Sequence, residues 1–131
     1  MSDRAETITL LSAESWAQRL GIQVGEVTRD SLTLTLELQD EHLNFLDSGH
    51  GGVLFSLAET AASVAAGQRG SEPVLLDGHL ALTAGGRAGD VFSATVSDVN
   101  VGRSLGVLRV SVSRTDGRLV GELTATLRFG G

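Results

Sequence analysis

One stretch constrains this chain more than any other: HGGVLFSLAETAASVAAGQRG, residues 50–70. It holds no proline, few β-branched residues and many alanines, so a helix is predicted from about Gly51 to Ala66. Val53, Leu54, Leu57, Ala58, Ala61, Val64 and Ala65 recur at helical spacing, while Ser56, Ala62 and Ala66 keep much of the other side small. A helix that is small and apolar nearly all round is a buried one. Gly67 and Gly70 are its expected stops.

Most of the remaining chain reads as strand. In SLTLTLEL, residues 31–38, Leu32, Leu34, Leu36 and Leu38 alternate with polar residues. Residues 22–27 form a strand before it, with a turn at Arg29 and Asp30. After Pro73, segments 74–83, 90–102, 104–114 and 118–129 are rich in valine, leucine and threonine. The turns GGRAGD, GRS and TDGR separate them, the last a tight hairpin at Asp116-Gly117. A short helix is expected over residues 12–20, with Ser12 as N-cap and Gly21 as its stop. Long strands joined by hairpins make an antiparallel sheet. The predicted architecture is therefore α+β: one antiparallel sheet wrapped around one long central helix, in a single domain of 131 residues.

Composition removes several kinds of chemistry. Cysteine is absent, which excludes disulfides, thiolate nucleophiles and cysteine-ligated zinc. The histidines at 42, 50 and 79 lack zinc-site spacing, so no metal is expected. No nucleophile elbow of the Gly-x-Ser-x-Gly kind is convincing. A formal charge of -6 argues against nucleic acid as the main partner. No stretch approaches the roughly 20 apolar residues of a membrane span. Acids come early in the N-terminal segment and no apolar run follows, so a cytoplasmic protein is expected.

Two features of the central helix can carry chemistry. Its first turn leaves backbone N–H groups without intrahelical partners, and the helix dipole places partial positive charge there. Gly51 and Gly52 put no side chain in front of those donors, which makes an oxyanion or phosphate site. The same glycines would equally permit a sharp turn or close packing. Further along, Glu59 lies among leucine and alanine. A carboxylate buried there has a raised pKa and suits a general base or nucleophile; one that points out through a gap is merely solvated. Gly51 and Glu59 are eight residues apart, about 12 Å along one helix at 1.5 Å per residue. If both serve one reaction, they must come from different chains, set antiparallel by a twofold axis.

Asn44, His50-Gly51-Gly52 six residues on, and Glu59 nine after the histidine resemble the signature of the PaaI-like hotdog thioesterases. That family hydrolyses phenylacetyl-CoA and related acyl-CoA esters, and the resemblance covers nearly the whole chain. It implies a hotdog dimer, often paired into a homotetramer, with an acyl-CoA substrate and no cofactor. It also implies roles: Gly51 N–H polarises the thioester carbonyl, His50 and Asn44 fix substrate or water, and Glu59 acts from the partner chain.

The chain departs from the family in places. Those proteins usually carry aspartate where this chain has Glu59. The related 4-hydroxybenzoyl-CoA thioesterases of one branch use glutamate, with a hydroxyl residue one helical turn later, here Ser63. That hydroxyl either orients the water or simply eases helix packing. The family's Arg-Pro-Gly turn is replaced here by TAGGRAGD. Asp77 and His79 share one face of their strand; if that face meets the helix, Asp77 is a second polar group near Glu59. For the phosphates of CoA, Arg103 and Ser104 in one turn and Arg87 in another are the candidates, beside Gly52 at the helix start.

Two other functions fit part of the pattern. A hotdog enoyl-thioester hydratase or dehydratase would want its histidine further from the acid and more than the single proline, Pro73. A non-catalytic acyl-CoA-binding module would keep the pocket and lose the acid.

Overall fold

The computed structural model describes residues 2–130. Six strands, β1 (Gln23–Val27), β2 (Leu32–Glu37), β3 (Ser71–Leu82), β4 (Val91–Val101), β5 (Leu105–Arg114) and β6 (Leu119–Gly130), form one antiparallel sheet. Their order is β1-β2-β4-β5-β6-β3. The long helix α3 (Gly51–Gly67) contacts five of these strands, β2 through β6. A sheet around a central helix is the architecture predicted from the sequence.

Alternation explains how the sheet holds the helix. Leu34 and Leu36 of β2, Phe92 of β4, Leu108 and Val110 of β5 and Leu123 of β6 are all buried in one core with Leu54, Leu57 and Ala61 of α3. Each fully buried leucine contributes about 1.5–3 kcal/mol relative to exposure. Threonine and serine occupy the alternate positions, and Thr33 and Thr95 share a hydrogen bond at 2.8 Å across β2 and β4.

The N-terminal segment differs from the expectation. Instead of one helix over 12–20 there are two, α1 (Arg4–Ser12) and α2 (Ser15–Leu20). Ser12 ends α1 and its hydroxyl donates to Thr9 O, so it is not an N-cap. Asp3 caps α1 by accepting from Glu6 N, and α2 starts from Glu14. Gln68, the C-cap of α3, accepts from Asp3 N and donates to Thr7 Oγ1, which clips α1 to the end of the central helix. On α2, Trp16 Nε1 donates to Ser56 Oγ of α3. Strand β3 also begins earlier than expected, before Pro73, and its register shifts there between Ser71 and Val74. Proline lacks a ladder donor and is tolerated at such an edge irregularity.

The two sheet edges are unlike. β1 is five residues long and irregular in register, and Arg4 Nη1 donates to Gly25 O on it. β3 is twelve residues long, pairs only with β6, and leaves Val74, Leu76 and Leu82 exposed.

Candidate active site

The approach to α3 is fixed by backbone and by Asn44. Asn44 Oδ1 accepts from Leu46 N at 2.9 Å and from Ser48 N at 3.2 Å, closing the loop before the helix. Within it Asp47 takes φ 57, a left-handed conformation. Gly49 N donates to Gly86 O and His50 N to His42 O, at 3.0 and 2.8 Å. A side chain on Gly86 would overlap the Phe92 ring, so only glycine lets that support come close enough. The oxygen of Asn44 is thus committed to shaping the loop, and its amide N–H₂ is the group left to meet a ligand.

His50 is the N-cap of α3, and its Nδ1 accepts from Gly52 N at 2.9 Å. An accepting Nδ1 puts the neutral ring's proton on Nε2, which leaves the exposed histidine an outward donor. The sequence expectation is corrected for Gly52. Its N–H already donates to His50 Nδ1 and is not a free donor. Gly51 N–H has no partner among the described residues and is the open donor of the first turn.

Glu59 sits two turns on, half-buried, and accepts from Ser63 Oγ at 3.1 Å. Burial raises its pKa above 4.5; the Ser63 hydrogen bond opposes this, and the nearby Glu14 carboxylate adds to it. Glu59 and Ser63 open onto a cleft of about 450 Å³ between the α1–α2 connection, the second half of α3 and the start of β3. Leu10, Ala13, Val64, Pro73 and Leu75 give that cleft apolar walls, while Glu14 and Glu72 add two further carboxylates. Neither glutamate stood out in the sequence. Glu14 is 45 residues from Glu59, and no local pattern joins them.

Other expected residues lie elsewhere. Asp77 pairs with Thr126 and His79 with Thr124, so both alternate with the core-facing Ala125 and point away from α3. Asp77 is therefore not a neighbour of Glu59 in its own chain. The residue between them, Gly78, faces the helix, and a Cβ there would stand 3.2 Å from Phe55 Cζ. Arg87 lines an open cleft of about 520 Å³ beside Ser48, near the helix start. Arg114 in the same cleft is held by Asp116 and Gly85 O. Arg103 and Ser104 occupy the β4–β5 turn, at the other end of β4 from the Arg87 loop. At about 3.3 Å per residue that strand separates the two arginines by roughly 30 Å, so one chain does not bring them together.

Comparison with known proteins identifies the family and the fold. The sequence profile of the thioesterase superfamily matches residues 48–121, a span that contains His50, Gly51 and Glu59. Acyl-coenzyme A thioesterase PaaI of Escherichia coli is 30% identical over 99 residues, 76% of this chain and 71% of that protein. A putative esterase of Deinococcus radiodurans is 29% identical over 102 residues, 78% of this chain and 69% of the relative. The structure of the E. coli PaaI protein from the phenylacetic acid degradation operon superposes with a TM-score of 0.89 at 25% identity. That superposition covers 99% of this chain and 97% of the other, and the shared architecture is the hotdog fold.

Proposed function

The chain belongs to the thioesterase superfamily, and from that premise we propose that it hydrolyses acyl-CoA thioesters to the free acid and CoA at two sites shared across a twofold dimer. The observation that carries this reading is Glu59, a half-buried carboxylate with a raised pKa, facing a cleft and oriented by Ser63. A carboxylate whose pKa is raised is a stronger base toward water than an ordinary one.

Geometry supports the twofold arrangement. Phe55 is midway between Gly51 and Glu59, and its ring packs on Gly78 in β3. A twofold axis near Gly78 pairs the bare β3 edge with its own copy and places Phe55 beside its copy. Gly51 of one chain then faces Glu59 of the other. In this arrangement the thioester oxygen accepts from Gly51 N–H, with His50 Nε2–H and the Asn44 amide as further donors. Glu59 removes a proton from water, whose oxygen adds to the carbonyl carbon; alternatively the carboxylate adds directly, and water then hydrolyses the acyl-Glu59 anhydride to free acid and restored carboxylate. The C–S bond breaks, CoA leaves as the thiolate and takes up a proton. No cofactor is required, since CoA enters and leaves with the substrate. The acyl groups proposed are aryl-acetyl, aryl or medium-chain. A pairing of dimers into a tetramer leaves both sites intact.

Two single variants test the shared site. Glu59→Gln and Gly51→Pro are each expected to be inactive in a thiol-release assay. Mixed and re-equilibrated, half the dimers carry one unaltered site of two, which returns about a quarter of wild-type activity. Recovery of nothing from a mixture proven to contain heterodimers would place each site within one chain.

A further inference from the structure

We infer that the cleft beside Glu59 receives the acyl group and that Glu14 and Glu72 restrict it to acyl groups without a carboxylate of their own. This rests on the thioesterase reading and adds the charge class of its substrate. The thioester has two ends, and the two clefts that flank the reaction differ in charge. CoA is a polyanion. The cleft beside Glu59 holds three carboxylates, and none of its lining residues is basic. The cleft beside the helix start sets Arg87 and Arg114 against Asp47, Asp90 and Asp116, and the Arg87 guanidinium has no ion-pair or hydrogen-bond partner among the described residues. Phosphates are repelled by the three uncompensated carboxylates of the first and meet cations only in the second, so the acyl end turns toward Glu59. There it meets Leu10, Ala13, Val64 and Leu75, which accept an apolar body.

Glu14 and Glu72 set what that body can carry. Neither carboxylate has an ion-pair or hydrogen-bond partner among the described residues, so neither negative charge is neutralised. They enter from different elements, Glu14 at the start of α2 and Glu72 in β3 beside Pro73, and line the same cleft as Glu59. A terminal carboxylate delivered into this space would be a further like charge with no cation to receive it. A neutral acyl group meets no such opposition.

The test compares hexanoyl-CoA with adipoyl-CoA, equal in chain length and different only in the terminal carboxylate. Wild type is expected to favour hexanoyl-CoA in kcat/KM by about tenfold or more at low salt. The preference narrows as ionic strength rises, because both glutamates are exposed. In the double variant Glu14→Gln, Glu72→Gln it collapses toward equality through a gain on adipoyl-CoA. Calorimetric binding of the same two compounds to Glu59→Gln reads the preference without turnover. Hydrolysis of neither, with the binding preference kept, would overturn the proposed reaction and uphold this inference. Equal use or equal binding of the two compounds, or a preference unchanged in the double variant, would overturn the inference.

Discussion

The first and third turns of α3 are built on opposite principles. The first turn works by exposure: Gly51 keeps its N–H free at the positive end of the dipole, and glycine keeps the approach open. The third turn works by burial: Glu59 is drawn partly out of water beside another carboxylate, so its charged form is disfavoured and its affinity for protons rises. One end supplies an electrophilic site from backbone alone, whereas the other needs a particular side chain in a particular surrounding. Substitution should therefore act differently at each.

The largest loss is expected at the third turn. Glu59→Gln keeps the shape and removes the base, and kcat should fall by about 10²–10⁴ in a thiol-release assay. The same variant should be more stable than wild type at neutral pH. Burial holds the folded pKa of Glu59 above its unfolded value, so its favourable contribution is present in acid and is lost as pH rises through the folded value. Melting temperatures of the two proteins should thus converge in acid and separate as pH rises. An unchanged kcat would remove Glu59 from the reaction.

At the first turn the informative change is Gly51→Pro, expected to lower kcat by about 10²–10³. Proline suits the first helical position, and His50 at φ -64 and ψ 133 has the extended backbone that a following proline wants. A Cβ at position 51 would meet only Leu82 Cδ1 at 3.5 Å. The N–H is lost and the fold is kept, which circular dichroism and oligomer size would verify.

Smaller effects sharpen the contrast. Ser63→Ala removes the bond that lowers the pKa of Glu59, so the acid limb of the pH–rate profile should move to higher pH. Glu14→Gln removes a charge that raises it, so the limb should move to lower pH. Opposite shifts on one limb identify Glu59 as the titrating group; shifts in the same direction would assign the limb elsewhere. The smallest change expected is in stability at the cap. His50→Ala should cost about 0.5–2 kcal/mol in denaturant unfolding, and His50→Asn, which restores an acceptor, only a few tenths.

The sequence made the sheet legible where one face is wet. The leucines of β2 alternate cleanly, so strand, register and core face follow together. The central helix was legible because alanine has little other use at that density. Helix α1 was not, since its RAETITLLS stretch buries only Thr7 and Leu11 and depends on Gln68, 61 residues from Thr7. At the candidate site, Glu59 and Gly51 could be singled out because their spacing is local to one helix. Asn44 was singled out for its position, but the commitment of its oxygen to Leu46 N and Ser48 N is a property of the closed loop. Glu14 and Glu72 gave no signal at all, because what makes them matter is the approach of three separate elements around one carboxylate.

The edge formed by β3 has a consequence for the newly synthesised chain. Twelve residues of strand, several apolar and exposed, face outward until the proposed dimer forms, and any extended segment of another chain can compete for them. Pro73, the charge of Asp77 and the register shifts near Leu76 make that edge uneven and discourage long improper pairing. They do so at the cost of a less regular strand. Yield during expression is then a race between correct meeting and aggregation, decided by concentration and temperature before any substrate is bound.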